Sequence, residues 1–264
     1  MCGIVGYIGK NNAIPVVNQG LQRLEYRGYD SCGIAMMDSE NLNLEKVTGK
    51  VDELQGLLAR KKTSSLVAIG HPRWATHGPP TISNAHPHTS QDGKVALVHN
   101  GIIENYKVLK DGLESSGYEF KSETDTEVIA ALISQAYHGN LEHAVREALS
   151  HVVGAYGLAV IHTDEPEKIV CTRKGAPLIM AVGDDEFFVA SDVAAILNYS
   201  KDVIYLDNEE IGILTPNGMK TYSGNDEPVD KKIHKITFNL EEIEKGGYEH
   251  FMLKEIFSQP QTIY

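Results

Sequence analysis

Cysteine is scarce in this 264-residue sequence, which contains only Cys2, Cys32 and Cys171. A small, odd number of cysteines does not provide the disulfide framework that holds small secreted domains together. We therefore expect a reducing compartment and place the protein in the cytoplasm. Hydrophobic residues nevertheless make up 42% of the chain, which favours a sizeable folded core over disorder.

Basic residues are also few, with 24 Lys and Arg against 36 Asp and Glu, and the net charge is −12. An acidic chain is poorly suited to bind nucleic acid or anionic membranes, so neither is an expected partner. No apolar run approaches the ~18 residues of a membrane-spanning helix. The first residues lack a basic stretch followed by an apolar one, and they do not predict a signal peptide.

Hydrophobic periodicity predicts strands towards both ends of the chain and helices between them. The elements do not alternate one for one, which favours mainly antiparallel sheets covered by helices over a doubly wound parallel sheet. Helices are predicted at residues 13–26, 52–60, 104–114, 125–137, 141–152 and 191–197. Strands are predicted at residues 3–9, 33–37, 43–47, 66–70, 95–98, 158–161, 168–171, 178–182, 187–190, 203–206 and 211–214.

Polar stretches are predicted to lie where these elements end. Residues 71–80 combine His, Arg and Trp with Gly and Pro, and they predict a loop, a common location for binding residues. Residues 99–101 are predicted to end a strand. Thr124 or Asp125 is predicted to cap the helix that follows.

Cys2 directly follows the initiator methionine. If Met1 is removed, Cys2 carries both a thiol and a free α-amine, with unperturbed pKa values of about 8.5 and about 8. The amine can then take the proton of the thiol, as in N-terminal-nucleophile enzymes. The apolar residues that follow predict a buried strand, which would fix this nucleophile at the edge of the core.

Other polar residues meet the needs of amide hydrolysis. Attack of a thiolate on a side-chain amide creates an oxyanion, to which Asn100 can offer a side-chain N–H and Gly101 a backbone N–H. A free amino acid amide also carries a carboxylate, which Arg73 can bind bidentately. Asp125, with Glu123 nearby, can bind the ammonium group of the same substrate.

The combination of motifs resembles a known family, the class II glutamine amidotransferases. The sequence reads MCGIVG at 1–6, RWATHG at 73–78, HNG at 99–101 and TDTE at 124–127. The resemblance implies an α+β fold, a four-layer αββα sandwich of two mainly antiparallel sheets flanked by helices. It implies a glutaminase domain over residues 1–238 and the start of an interdomain linker over residues 239–264.

The resemblance also implies site residues, with no cofactor and no bound metal. It makes Cys2 the nucleophile and Asn100 and Gly101 the oxyanion hole, and it places Arg27 near the nucleophile. It implies that L-glutamine is bound by Arg73, Trp74, Thr76, His77, Gly101 and Asp125.

Within this family, three stretches are similar to the members that aminate fructose 6-phosphate: LEYRGYDS at 24–31, NAHPH at 84–88 and YEHFMLKEI at 248–256. They imply hydrolysis of glutamine through a γ-glutamyl thioester, and a sugar-isomerase domain beyond residue 264 that receives the ammonia. We expect the full-length enzyme to be a homo-oligomer, whereas the isolated domain can be monomeric. The amidophosphoribosyltransferases, which use a phosphoribosyl acceptor, are the alternative.

Three other interpretations remain open. A metallohydrolase would need histidine ligands, but the irregular spacing of the candidates provides no helical His pair, and surface or loop histidines are the commoner explanation. These candidates are His71, His77, His86, His88 and His99. Gly3, Gly6 and Gly9 are spaced unlike a dinucleotide-binding fingerprint. A non-enzymatic interaction domain would not need Cys2 beside other polar residues.

Overall fold

The computed structural model describes residues 2–38, 41–61, 63–237, 248 and 251–262. Within these residues the chain forms two β-sheets with helices outside them. The strands are β1 Val5–Gly9, β2 Ser31–Asp38, β3 Asn41–Thr48, β4 Val67–Arg73, β5 His88–Thr89, β6 Val95–Ile103, β7 Gly154–His162, β8 Glu165–Lys174, β9 Ile179–Val182, β10 Glu186–Ala190, β11 Asp202–Tyr205, β12 Ile211–Thr215, β13 Gly218–Tyr222 and β14 His234–Lys235. The α-helices are α1 Ala13–Leu24, α2 Val51–Lys61, α3 Tyr106–Ser115, α4 Thr126–Ala136, α5 Leu141–Ser150 and α6 Phe251–Thr262.

Both sheets are antiparallel. The first has eight strands in the order β14-β11-β9-β10-β1-β4-β2-β3, and the second has six in the order β13-β12-β8-β7-β6-β5. The N-terminal strand β1 therefore lies inside the larger sheet, paired with β10 on one side and β4 on the other. The prediction of mainly antiparallel sheets is confirmed.

The two sheets pack face to face through apolar side chains that alternate along each strand. Ile4, directly before β1, and Ile8, within it, enter the core between the sheets together with Val98 from β6. Val5 and Tyr7 point to the opposite face of β1, into the core under the helices. This double burial explains why the β1 sequence is apolar throughout.

Helices cover the outer face of each sheet. Leu21 of α1 and Leu54 of α2 are buried against the larger sheet. Ile129 of α4 and Val145 of α5 are buried against the smaller one. The layers are therefore helix, sheet, sheet and helix, and the predicted αββα fold is confirmed. No described helix is long and apolar enough to cross a membrane.

Two strands that carry predicted site residues run further than the sequence predicts. β4 continues through His71 and Pro72 to Arg73, which pairs with Ser31 of β2, so the predicted loop begins only at Trp74. β6 likewise continues through residues 99–101 to Ile103, paired with β7 along its length. The backbone ladder does not depend on side-chain polarity, and polar residues at these positions therefore remain in strands.

Smaller differences concern other boundaries. The first strand begins at Val5 rather than at residue 3, and the predicted helix 191–197 is reduced to a 3₁₀ turn at Val193–Ala195. The predicted domain boundary at residue 238 falls outside the described residues, as does Met1. Cys32 and Cys171 are buried, and burial raises the pKa of each thiol to about 12.

The packing between the sheets predicts the stability of a matched pair of variants. Ile69→Ala removes a fully buried side chain from this core, and we expect it to lower the free energy of unfolding by about 2–5 kcal/mol. Ile82→Ala makes the same change at a side chain that is 59% exposed, and its effect is expected within about 0.5 kcal/mol. Urea unfolding followed by circular dichroism measures both, and equal losses would contradict this core assignment.

Candidate active site

The nine residues predicted for the site line one cavity of about 360 Å³. They are Cys2, Arg27, Arg73, Trp74, Thr76, His77, Asn100, Gly101 and Asp125. They come from the N-terminus, the 3₁₀ turn after α1, β4 and its following loop, β6 and the N-cap position of α4. The cavity is also lined by His86, His99 and Thr126, to which the sequence interpretation gave no role in amide hydrolysis.

Cys2 is held in place by hydrogen bonds that the two following residues donate through their backbone N–H groups. Gly3 N donates to Pro72 O over 3.2 Å, and Ile4 N donates to Ser191 Oγ over 2.9 Å. Trp74 N lies 3.1 Å from Cys2 Sγ and donates to it. Burial raises the pKa of the Cys2 thiol, against the lowering effects of this Trp74 N–H and of the Arg73 charge. The thiol therefore needs a proton acceptor.

Asn100 lies beside Cys2, on β6. Its Nδ2 donates to Cys2 O over 3.5 Å, and its Oδ1 lies 3.0 Å from His71 Nε2. Gly101 follows with φ +137°, where an added Cβ would lie 2.0 Å from Ala155 O. This conformation and close approach require glycine. Two adjacent residues of β6 thus line the cavity: Asn100 with its amide side chain, and Gly101 with a backbone conformation that other residues rarely adopt.

Arg73 is buried at the end of β4, where its guanidinium donates to loop carbonyls. Its Nη1 lies 3.3 Å from Pro79 O, and its Nη2 lies 3.3 Å from Gly78 O and also contacts His77 O. Arg73 therefore braces the loop after β4 while it lines the cavity. Trp74, in that loop, is 44% exposed, and its ring meets Tyr29 edge to face with centroids 5.4 Å apart.

Asp125 is buried at the N-terminus of α4, but it does not cap that helix through its side chain. Its Oδ2 instead accepts a hydrogen bond from Ile103 N over 2.8 Å, which ties the end of β6 to the start of the helix. Asp125 is the N-cap residue by position, as the sequence predicts, but its carboxylate accepts from the strand N–H and from no N–H of the helix. The carboxylate remains on the cavity wall and supplies a negative charge there.

Arg27 reaches the cavity from the 3₁₀ turn that follows α1. Its guanidinium forms an ion pair with Asp192, whose other carboxylate oxygen accepts from Ala194 N over 2.8 Å. The pair links the turn to the segment after β10. His77, on the loop side of the cavity, meets the Tyr106 ring edge on at 5.4 Å.

Four of the five histidines considered as metal ligands are core residues. His71, His86, His88 and His99 are each at most 5% exposed, so none is a surface histidine, although His86 does lie in the loop between β4 and β5. Burial lowers the pKa of each ring, that of His71 to about 3, and keeps the rings neutral. Over the ranges that the structure describes, no three His, Cys, Asp or Glu side chains are arranged to hold a metal ion.

Comparison with known sequences identifies similar proteins. Residues 76–198 match the family described as Glutamine amidotransferase domain. The chain is 48% identical over 263 residues to glutamine–fructose-6-phosphate aminotransferase [isomerizing] of Clostridium acetobutylicum, covering 100% of this chain and 43% of that protein. The protein of the same name from Aquifex aeolicus is 50% identical over 263 residues, with coverage of 100% and 44%. The chain therefore spans less than half the length of these curated relatives.

Solved structures share the fold. The glutamine phosphoribosylpyrophosphate amidotransferase of B. subtilis superimposes with a TM-score of 0.75 at 29% identity, over 84% of this chain and 49% of that one. A glutamine aminotransferase class-II domain protein from Silicibacter pomeroyi has a TM-score of 0.57 at 13% identity, covers 84% of this chain and 99% of that one, and supports the fold alone. The chain therefore belongs to the class II glutamine amidotransferases, with the N-terminal-nucleophile hydrolase fold.

Proposed function

We propose that this chain hydrolyses L-glutamine to L-glutamate and ammonia through a γ-glutamyl thioester on Cys2. The proposal is carried by one observation: a thiol, an amide donor, a guanidinium and a carboxylate share one cavity. These groups belong to Cys2, Asn100, Arg73 and Asp125. An interaction domain has no need of this set, whereas each group has a task in amide hydrolysis.

The first step activates the nucleophile. Because burial raises the pKa of the Cys2 thiol, little thiolate forms without a base. Removal of Met1 provides that base, since the α-amine of Cys2 can take the proton directly or through a water molecule. The Trp74 N–H, 3.1 Å from Cys2 Sγ, stabilises the thiolate that results.

The thiolate then attacks the side-chain carbonyl carbon of glutamine. The carbonyl electron pair moves onto oxygen, and Asn100 Nδ2–H and the Gly101 N–H bind this oxyanion. When the tetrahedral intermediate collapses, the C–N bond breaks and ammonia leaves with the proton held by the α-amine. Water attacks the remaining thioester, which releases glutamate and restores the thiol.

Charge complementarity orients the substrate for this attack. Arg73 binds the α-carboxylate with guanidinium donors that it shares with the loop carbonyls. Asp125 binds the α-ammonium group through the carboxylate oxygen that does not contact Ile103 N. Trp74, Thr76 and His77 cover the bound substrate, and Arg27 closes the cavity beside the nucleophile.

The named relatives extend the proposal to the whole protein. Because they are 48–50% identical to the chain, we assign it the same acceptor: ammonia from residues 1–238 converts fructose 6-phosphate to glucosamine 6-phosphate. A sugar-isomerase domain after the linker at 239–264 would perform that step, in a cytoplasmic homo-oligomer. The alternative phosphoribosyl acceptor is supported by the fold, but at a lower identity of 29%.

The proposed base predicts that processing of the N-terminus controls activity. Protein that retains Met1 has the catalytic amine in a peptide bond, and we expect it to be nearly inactive. Protein that begins at Cys2 should be active. Intact-protein mass spectrometry assigns the terminus of each preparation, and ammonia release measures its turnover. Full glutaminase activity in protein shown to retain Met1 would contradict this mechanism.

The proposed substrate contacts predict changes in KM. Asp125→Asn keeps an oxygen that can accept from Ile103 N but removes the charge that pairs with the substrate ammonium. We expect KM for glutamine to rise about 10- to 100-fold, since a hydrogen bond to a charged group is worth ~1.5–3 kcal/mol. Arg73→Ala should raise KM similarly. Asp111→Asn, on the exposed face of α3, is the control that should keep KM unchanged.

The proposed oxyanion hole predicts a loss of kcat without a loss of affinity. Asn100→Ala should lower kcat by ~10²–10³, the usual cost of removing one oxyanion donor. Glutamine affinity should change little, because the charged oxygen exists only along the reaction path. Cys2→Ala should abolish turnover and retain binding, measured by calorimetry. Asn217→Ala, in the exposed turn before β13, should match the parent. An Asn100→Ala variant with unimpaired kcat would place the site elsewhere.

A further inference from the structure

His71 contacts the candidate oxyanion donor Asn100 from the side opposite the cavity. It lies on β4 and is fully buried. Its Nε2 atom is 3.0 Å from Asn100 Oδ1 and 3.0 Å from the backbone carbonyl oxygen of His99. One ring nitrogen therefore contacts two oxygen atoms of the same strand, β6.

These two contacts determine where the hydrogen atoms lie. The carbonyl oxygen of His99 can only accept, so Nε2 of His71 must carry a proton. The Asn100 atom that meets the same N–H must also be an acceptor, which is its Oδ1. A flipped Asn100 amide would bring its NH₂ group against this N–H. The His99 carbonyl therefore fixes the His71 tautomer, and that tautomer fixes the Asn100 amide.

The opposite end of the Asn100 amide consequently faces the nucleophile. Its Nδ2 donates to Cys2 O over 3.5 Å, and the second hydrogen of this NH₂ group remains available for the substrate oxygen. If the amide were reversed, an oxygen lone pair would occupy this place and would repel the oxyanion. Catalysis by Asn100 therefore requires the orientation that His71 enforces.

The surroundings of His71 keep its ring in place. The ring stacks on His86 with centroids 4.1 Å apart, and His86 Nδ1 accepts from His99 N over 3.2 Å. Both backbone polar groups of His99 are thus held by neighbouring histidines. The Nδ1 atom of His71 has no hydrogen-bond partner in the described part of the chain, and burial favours the neutral ring.

We infer that His71 is a positioning residue for the oxyanion hole: its Nε2–H holds the amide of Asn100 with Nδ2 directed at the reacting carbonyl. The inference rests on the proposed glutaminase function and adds a residue to it. It also gives a task to a histidine that the sequence suggested only as a metal ligand or as a surface or loop residue.

Two amide variants of His71 separate hydrogen bonding from simple packing. In His71→Gln the side-chain nitrogen can reach the place of Nε2, whereas in the shorter His71→Asn it ends near the place of Nδ1. We expect His71→Asn to lower kcat about tenfold or more, up to the ~10²–10³ of losing the Asn100 donor, with KM unchanged. His71→Gln should recover most of this loss. Steady-state ammonia release measures both parameters.

A double-mutant test identifies the route of the effect. If His71 acts through Asn100, then His71→Asn should cause no further loss of kcat in the Asn100→Ala background. An equal loss in both backgrounds would overturn the inference, as would parent-like kcat in both His71 variants. Alkylation of Cys2 by iodoacetamide, which needs no oxyanion hole, confirms an intact nucleophile in every variant.

His162→Asn is the matched control. His162 is another buried histidine, on β7, and it stacks on Tyr137 outside the cavity. We expect its kcat and KM to equal those of the parent enzyme. If Cys2→Ala or Asn100→Ala keeps full turnover, the proposed glutaminase mechanism itself fails. If those variants behave as proposed and the His71 effects are additive, only the role of His71 fails.

Discussion

The site depends on one constraint: the first strand of the chain, β1, lies inside the larger sheet rather than at its edge. β1 pairs with β10 and β4, and its side chains are buried on both faces. The bonds Gly3 N to Pro72 O and Ile4 N to Ser191 Oγ extend this attachment up to Cys2. A chain terminus normally frays. Here the cooperative stability of the core keeps Cys2 at a defined position.

Three buried polar side chains around Cys2, those of Asp125, Arg73 and His71, form hydrogen bonds with backbone atoms of a neighbouring element. Asp125 accepts from Ile103 N, Arg73 donates to carbonyls of the loop after β4, and His71 donates to His99 O. An unpaired buried donor or acceptor costs about 1–3 kcal/mol. The contacts that avoid this cost also fix the direction of each functional group, so stability and preorganisation have the same structural source.

Much of the fold and of the residue set could be predicted from the sequence, because both depend on local patterns. Apolar residues 4–8 predicted β1, and helical spacing predicted α1 and α4 to within a few residues. The motifs around Cys2, Arg73, Asn100 and Asp125 predicted which side chains would share a cavity, and the structure brings them together. Their roles in the reaction remain predictions.

The amino-acid sequence by itself determined the buried strands, the antiparallel class and the chemical groups of the site. Only the tertiary structure decided that residues 71–73 and 99–101 belong to strands, because strand pairing is set by the partner strand and not by side-chain polarity. It also decided which way the Asn100 amide faces. That orientation depends on a contact between His71 and the carbonyl oxygen of His99, 28 residues away. A local sequence pattern does not predict a contact between residues so far apart in the chain.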